Sequence, residues 1–395
     1  MHTLWLRAET KLNERRTPLI PAHAGILVKN GYRVCVEASR DRIFSDSEYR
    51  EQGCILVEKG SWRFASSDTL ILGLKELPEE SFPLRHRHFY FAHAYERQTG
   101  SVDLLDRFRR GGGFLYDLEQ IKDPSGAQLV TGGAGYLAGL CAATACLDIW
   151  KQRQCERTGA YRVPSQFGSC AEIVAYASTL LATHVQIPRI LVIGHRGKSG
   201  SGVAHLLDEV GLEFDRSPKI TNDNIERRAL LHQYDIVFNC IKLSKDTPIF
   251  LSKDMINSDT RIGLIGDVSC EPTHPDNPIP IYSAPTNFEQ PVFRTPEGID
   301  VMAIDNITAM LPVECSQILS EQIFPYLCYF LLAQGVHEAS PFARVVNSFN
   351  LACRESLGRG SCDAPAGSVD RPVRAVNPPN SCTRIRLQRQ HPRDR

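Results

Sequence analysis

Net charge is what this chain most plainly lacks: its 45 Lys and Arg are balanced by 45 Asp and Glu over 395 residues. That balance leaves no basic footprint for nucleic acid and none for an acidic membrane surface. Long apolar runs are missing too, and nothing approaches the roughly 18 residues that a membrane span requires. The opening stretch from Met1 to Glu9 carries charges in place of a signal-peptide core, so a cytoplasmic protein is expected. The final Pro392-Arg-Asp-Arg395 lacks a Ser-Lys-Leu type address. No C-x-x-C pair occurs among the 13 cysteines, which are scattered and odd in number. A disulfide framework and a zinc site are therefore not expected, and Cys141 and Cys146 read as buried thiols in an apolar helix. No internal repeat is visible.

What is present is ample core material, 42% apolar residues, in a chain long enough for two domains. The first 120 residues alternate two kinds of segment. Thr3 to Arg7, Arg33 to Glu37, Thr69 to Leu74, Phe89 to Ala94 and Gly113 to Leu118 read as strands. Pro21 to Asn30, Asp46 to Gln52 and Ser101 to Arg110 read as helices. A Gly/Ala-rich segment, Gly132 to Ala145, leads into a helix ending near Arg153, and its small residues suit close packing where two domains meet. A second alternation starts at Arg189, with strands at Ile190 to Ile193, Asp235 to Ile241 and Gly263 to Val268, and helices at Gly202 to Val210 and Gln317 to Ala333. Interleaving of this kind predicts an α/β protein with two doubly wound, mainly parallel sheets. From about Leu357 onward Gly, Pro, Ser and Arg dominate without any period, which predicts a disordered tail.

The sharpest local motif is Ile190-Leu-Val-Ile-Gly194-His-Arg-Gly197-Lys-Ser-Gly200-Ser-Gly202. A buried strand feeds a glycine-dense turn that opens a helix. Glycines there allow φ > 0 and close approach of a pyrophosphate to the helix N-terminus. The spacing, G-x-x-G-x-x-G-x-G, departs from the common G-x-G-x-x-G, so the strand before and helix after carry the assignment. An acidic residue should follow about 20 residues on to hold the ribose hydroxyls. Asp223 falls 21 residues after Gly202 and would favour NAD. Asp215 is the alternative, and Arg227 and Arg228 leave NADP open.

Several co-linear blocks resemble one family. Leu6-Arg-Ala-Glu-Thr-Lys11 with Glu14-Arg-Arg16 and Pro21 is similar to the opening of saccharopine dehydrogenases and the related alanine dehydrogenases. Gly73-Leu-Lys-Glu76, Phe91-Ala-His-Ala-Tyr95, Leu115-Tyr-Asp-Leu-Glu119, Phe238-Asn-Cys-Ile241, Asp267-Val-Ser269, Asn277-Pro-Ile-Pro-Ile-Tyr282, Ile304-Asp305 and Leu311-Pro312 continue the match in order. The resemblance implies two Rossmann-like domains. Residues 1–135 with 313–356 would form a discontinuous substrate-side domain, 136–312 would hold NAD, and 357–395 would lie outside both. It implies oxidation of a secondary amine joining an amino acid and a 2-oxo acid, in lysine biosynthesis. Lys75 and His93 would move the protons, each following an apolar strand, with Glu76 and Glu119 tuning them. Arg16 would grip a substrate carboxylate with its guanidinium fork. Gln98, Gln128, Gly132, Ser269, Cys270 and Glu271 match substrate-contacting positions. Ala127, Gly197, Lys198, Lys242, Val268 and the run Ile304, Asp305, Asn306 and Ile307 match cofactor-contacting ones, together with Asp223 and Arg227.

The chain departs from the family pattern on the substrate side. An Arg-Arg pair is replaced by Ala127 and Gln128, a lysine by Glu96, and a phenylalanine by Gly132. A glycine-turn cysteine of some members is Ser199 here, which excludes its disulfide with Cys240. Loss of a buried charge-assisted pair costs about 2–5 kcal/mol of binding, although Arg97 is placed to compensate. Three readings remain open: saccharopine dehydrogenase, a diverged imine or opine oxidoreductase, and a catalytically inactive nucleotide-binding relative. Subunit number is not encoded in any motif, and a monomer is compatible with the sequence.

Overall fold

The computed structural model describes residues 3–357 except 93, 96–99, 123–125, 127, 131–134, 156–160, 183–185, 218, 242, 244–246 and 334–341. The expected tail lies outside these residues apart from its first position. The chain forms β1 (Thr3–Leu6), α1 (Pro21–Lys29), β2 (Arg33–Glu37), α2 (Asp46–Glu51), β3 (Ile55–Val57), β4 (Leu70–Leu72), β5 (Arg87–Tyr90), α3 (Ser101–Gly111) and β6 (Phe114–Asp117). It continues with α4 (Gly135–Cys155), α5 (Cys170–Leu181), β7 (Ile190–Ile193), α6 (Lys198–Glu209), β8 (Asp215–Ser217), α7 (Asn224–Leu231), β9 (Ile236–Asn239), β10 (Leu264–Asp267), β11 (Phe293–Arg294), β12 (Asp300–Met302), α8 (Pro312–Ala333) and α9 (Ala343–Leu357).

Local chemistry sets many of these boundaries. Pro21 opens α1 where its missing N–H costs nothing. Ser45 and Glu48 form a reciprocal capping box on α2. Ser169 caps α5 and Asp223 caps α7 through their side-chain oxygens.

Two six-stranded sheets result, ordered β3-β2-β1-β4-β5-β6 and β11-β12-β10-β9-β7-β8. Every pairing between named strands is parallel except β11 with β12. This is the α/β class that the alternating pattern predicts. In each sheet the chain starts at a central strand, winds outward on one side, then crosses to the other. The reversal falls between β1 and β4 in the first sheet and between β7 and β9 in the second. Loops leaving the two strands at such a point diverge, which opens a crevice at their carboxyl ends.

The cores divide in a corresponding way. One apolar cluster unites Leu4 through Val130 with Leu319, Ile323, Leu327, Phe330, Phe342, Val345, Phe349 and Cys353. The other clusters run from Leu137 to Cys315 and from Leu191 to Ala303. Thus α8 and α9 return to the first sheet, where Phe349 meets Phe114 at 4.2 Å between ring centroids.

Three expectations need correction. The helix expected from Gly202 begins at Lys198, because the glycines of the turn are themselves compatible with its first turns. The small residues of α4 pack on α6, within the second unit, and not against the first sheet: a Cβ on Gly139 would stand 1.9 Å from Ser199 O, and one on Gly202 1.9 Å from Tyr136 O. Strand β5 ends at Tyr90, short of the expected Ala94, since its ladder with β6 closes at Tyr90 opposite Asp117.

Candidate active site

The segment leaving β1 holds six ionisable residues, Arg7, Glu9, Lys11, Glu14, Arg15 and Arg16, and the segment leaving β4 holds Lys75 and Glu76. The switch point places these two segments side by side. Glu9 locks them together: its carboxylate accepts the N–H of Leu74 at 2.8 Å and of Lys75 at 2.9 Å. Arg7 reinforces the joint by donating to Lys75 O and to Glu9 Oε2, the latter at 3.3 Å. Burial pushes the Glu9 carboxyl up, and Arg7 and the two N–H groups offset only part of that. The backbone of Lys75 is thereby held, and its side chain extends to the second sheet's Asp305. Its Nζ lies 3.8 Å from Asp305 Oδ2 and makes no hydrogen bond among the described residues, and the side chain is 13% exposed.

Asp305 comes from the second sheet, just past β12, so the two units meet at this ion pair. Lys11 donates to the same Asp305 oxygen and stands 4.0 Å from Glu76 Oε2. Burial pulls the Lys11 ammonium down, but the charge and hydrogen bond of Asp305 outweigh it and the net direction is up. Nearby, Asn306 Nδ2 reaches Leu12 O at 3.5 Å, and Asn13 Nδ2 donates to Glu289 Oε1 at 2.7 Å.

Arg16 is buried and engaged. Its Nε donates to Glu14 Oε1 at 2.7 Å, one Nη donates to Glu14 Oε2, and the other donates to Thr308 Oγ1 across the interface. Burial pulls this guanidinium down, yet Glu14 reverses the direction and holds it up. Burial likewise pushes the Glu14 carboxyl up, and Arg16 more than compensates, leaving it low. The pair is a positive-negative clamp beside Lys75, whose own charge helps hold Glu14 ionised.

The loop after β10 carries three expected substrate residues. Ser269 donates from Oγ to Ile241 O at 2.5 Å and from its N–H to Asp267 Oδ1 at 3.1 Å. Cys270 occupies the left-handed region, with φ of 50°, and its thiol points to Ala303 O at 3.1 Å. Burial, together with the charges of Asp305, Asp267 and Glu271, pushes that thiol up, which disfavours its thiolate. Glu271 is exposed beside it. Asp267 anchors the loop by accepting from Asn239 Nδ2 at 3.0 Å and Tyr282 OH at 2.7 Å.

At the other switch point the glycine turn closes on β9. Gly194 has φ of 80°, and a Cβ there would stand 2.7 Å from Cys240 O. Gly197 is the N-cap of α6 and has no side chain to occupy the first helical N–H groups, which suits an anion at this helix N-terminus. Gly200 and Gly202 serve a different purpose from the phosphate approach expected of them: both lie inside α6 where backbone packs against backbone. The turn fits the pyrophosphate of a dinucleotide. Val268 is half-buried and bonded to Asn239 O at 3.0 Å, while Ile304 and Ile307 are buried apolar wall. Asp223 Oδ1 caps α7, accepting from Ile225 and Glu226 at 2.7 and 3.1 Å, and Arg227 donates to Thr221 O at 2.8 Å. Gln128 donates to Glu119 O at 3.4 Å and forms an isolated bridge with Lys122. His93, Gln98, Ala127, Gly132 and Lys242 lie outside the described residues.

Sequence reading did not assign roles to Glu9, Lys11, Glu14 or Thr308. The dense alternation of charge directly after a buried strand was a signal for the first three. Thr308 had none, because its partner is 292 positions away.

Two doubly wound, mainly parallel sheets, with charged side chains from the first sheet's switch point reaching Asp305 of the second, form an α/β architecture of the dinucleotide-binding class. The family described as alanine dehydrogenase/PNT, N-terminal domain, matches residues 5–131. A solved L-alanine dehydrogenase aligns with a TM-score of 0.68 at 16% identity, covering 90% of this chain and 98% of its own, which shows the shared fold. Saccharopine dehydrogenase [NAD(+), L-lysine-forming] of Schizosaccharomyces pombe is 37% identical over 339 residues, 82% of this chain and 92% of the relative. The enzyme of the same name from Yarrowia lipolytica is 38% identical over 338 residues, 82% and 91% respectively. The chain belongs to the saccharopine dehydrogenase family.

Proposed function

We propose that this chain is an NAD-dependent oxidoreductase acting on the CH–NH bond of saccharopine. The reaction is saccharopine + NAD⁺ + H₂O → lysine + 2-oxoglutarate + NADH + H⁺, a step of lysine biosynthesis, in the cytoplasm. The observation that carries this reading is the meeting of Lys75 and Lys11, from the segments at the first sheet's switch point, with Asp305, which follows β12 of the second sheet. The dinucleotide supplies the hydride acceptor. Lys75, fixed through its backbone by Glu9 and Arg7, takes and returns protons at the reacting nitrogen and oxygen, and His93 is its partner in that exchange. Arg16, aligned by Glu14, orients a substrate carboxylate with the N–H groups it has left. Ser269, Cys270 and Glu271 line the substrate wall, with Gln98, Gln128 and Gly132. Gly197, Lys198, Val268, Asp305 and the neighbouring Ile304, Asn306 and Ile307 line the dinucleotide wall, with Asp223, Arg227, Ala127 and Lys242. The division of residues 1–135 with 313–356 from 136–312 is supported by the separate apolar clusters, which change over near Leu137 and again between Cys315 and Leu319.

A second reading, an oxidoreductase of the same bond type acting on a different amino acid and 2-oxo acid, is favoured by Ala127 and Gln128 standing where the family has arginines. Purified full-length protein with lysine, 2-oxoglutarate and NADH should consume NADH. Lys75→Met with His93→Gln should lower that turnover about 10²–10⁴-fold, and full activity in the double variant would remove both from the mechanism. Turnover only with other amine and oxo-acid pairs would select the second reading.

A further inference from the structure

A second recess opens on the first sheet, on the side of its switch point that carries β2 and β3. It is a cavity of about 420 Å³, within the range of small-molecule sites. The ends of four neighbouring strands build it: Arg7 follows β1, Glu37 closes β2, Lys59 and Trp62 follow β3, and Pro78 follows β4. The sheet order is β3-β2-β1-β4, so the cavity lies across the carboxyl edge, where open α/β sheets receive ligands. None of the described residues assigned to substrate or dinucleotide lines it.

Its walls combine a fixed apolar surface with positive charge. Trp62 is buried, and Glu37 pins its backbone. Glu37 Oε1 accepts the Trp62 N–H at 3.0 Å and Trp5 Nε1 at 3.1 Å, while Oε2 accepts the Ala8 N–H at 3.0 Å. Three N–H donors therefore occupy the buried carboxylate of the wall. The apolar surface continues through half-buried Leu77 to Phe64, which is 84% exposed and gains from being covered. Arg7, Lys59 and Arg63 bring positive charge to the lining. Arg63 spends one Nη on Glu80 Oε1 at 2.8 Å, but its Nε has no hydrogen-bond partner among the described residues. Arg7 Nε has none among them either. Lys59 is exposed, as is Glu58, the other carboxylate of the lining.

Arg7 also ties the cavity to Lys75. Its guanidinium donates to Lys75 O and to Glu9 Oε2, and Glu9 holds the N–H groups of Leu74 and Lys75. We infer that this cavity is an effector site for a small carboxylate with a flat apolar body, which lowers turnover by drawing Arg7 away from Lys75. Lys59, Arg63 and Arg7 receive the carboxylate, for which a guanidinium fork is suited, and the apolar body lies against Trp62 and Phe64. The loss of turnover rests on the dehydrogenase reading above; binding at the cavity does not.

Phenylacetate is the probe, titrated into the full chain by calorimetry and by tryptophan fluorescence. It should bind at least about tenfold more tightly than acetate, which lacks the apolar body, and than phenylethanol, which lacks the charge. Lys59→Glu, at an exposed position, should weaken it about fivefold or more and leave kcat unchanged when no probe is present. Arg63→Gln should act in the same direction, and Trp62→Phe should remove the fluorescence change. Amide hydrogen exchange at Leu74 and Lys75 should quicken when the probe binds, which reads the coupling without catalysis. With lysine, 2-oxoglutarate and NADH all saturating, the probe should lower kcat about twofold or more, since the sites are separate. No binding up to about 10 mM phenylacetate, or binding that Lys59→Glu and Arg63→Gln both leave unchanged, overturns the site. Binding with neither faster exchange nor lower kcat overturns the effector role. Probe binding with faster exchange, in a chain that turns over no amine and oxo-acid pair, would support the site and remove the dehydrogenase reading.

Discussion

The Glu14 and Arg16 pair shows how an expected ligand-binding side chain becomes half of an internal ion pair. Both groups are buried, and three guanidinium N–H bonds are directed at Glu14 and Thr308. Removing one partner of such a pair strands the other charge in a dry site, at a cost of about 3–5 kcal/mol. Glu14→Gln should therefore lower unfolding free energy by roughly that amount at pH 7, read by urea denaturation. The pH dependence has a definite sign. Because the folded carboxyl is held below its ordinary 4.5, the ionised form stabilises the fold above that value, and the contribution is lost as pH falls through the folded value. The gap between wild type and Glu14→Gln should thus be full above pH 4.5 and shrink in acid. A gap independent of pH would show that Glu14 does not carry the pair. The family resemblance marked Arg16 as a substrate-carboxylate arginine, but its two bonds to Glu14 were not readable, since an arginine two residues from a glutamate is as often simply solvated.

Among the elements, the contact of α4 with α6 has the least room. Gly139 and Gly202 let the two backbones touch, and a methyl on either would fall 1.9 Å from a carbonyl oxygen that no side-chain motion can move. Gly202→Ala and Gly139→Ala should each destabilise by about 1–3 kcal/mol, the range for overpacking. Chemical denaturation of purified variants measures it, and wild-type stability in both would mean the helices are free to separate. Since the N-terminus of α6 is the proposed pyrophosphate site, dinucleotide affinity should fall with them. The Gly/Ala segment foretold a close helix contact from composition. Its partner was misplaced because small residues specify how near a neighbour comes, not which neighbour it is. Strand β8 escaped detection for a related reason. Asp215-Arg216-Ser217 has no apolar residue, and it is a strand because it is the sheet edge, hydrogen-bonded on one side to β7. By contrast, α9 presents Val345, Phe349 and Cys353 four apart to the first core, a period that was present in the sequence and left unused.

Across the full fold, the buried histidines couple stability to pH. His88 is enclosed by Trp62, Phe108, Tyr90 and His86, and neither ring nitrogen has a hydrogen-bond partner among the described residues. Burial pulls its imidazolium well down, and the charges of His86, Arg7 and Arg107 pull in the same direction. His23 and His86 are also lowered by burial. A histidine kept neutral in the fold but free to protonate when unfolded leaves stability unaffected above its ordinary value of 6.5 and removes it below. Each such group contributes a slope of up to about 1.4 kcal/mol per pH unit. Thermal or urea unfolding should show stability falling as pH drops from 7.5 to 5.5, and His88→Phe should reduce that slope by about one proton's worth while leaving pH 7.5 stability equal or higher. An unchanged slope in His88→Phe would place the proton uptake elsewhere.

Local pattern alone established two βα alternations, the buried strand feeding a glycine turn, and Lys75 just past an apolar strand, because burial imprints a period of two or 3.6 on each segment and φ > 0 imprints glycine. Packing alone established the order of strands and the clamp from Glu14 through Arg16 to Thr308, while the return of α8 and α9 to the first sheet was expected only from the family resemblance. Those outcomes are choices of partner between segments that are distant along the chain, up to 292 positions for Arg16 and Thr308. An ionised or hydroxyl side chain carries no periodic mark of the partner it will find, so only the folded arrangement decides it.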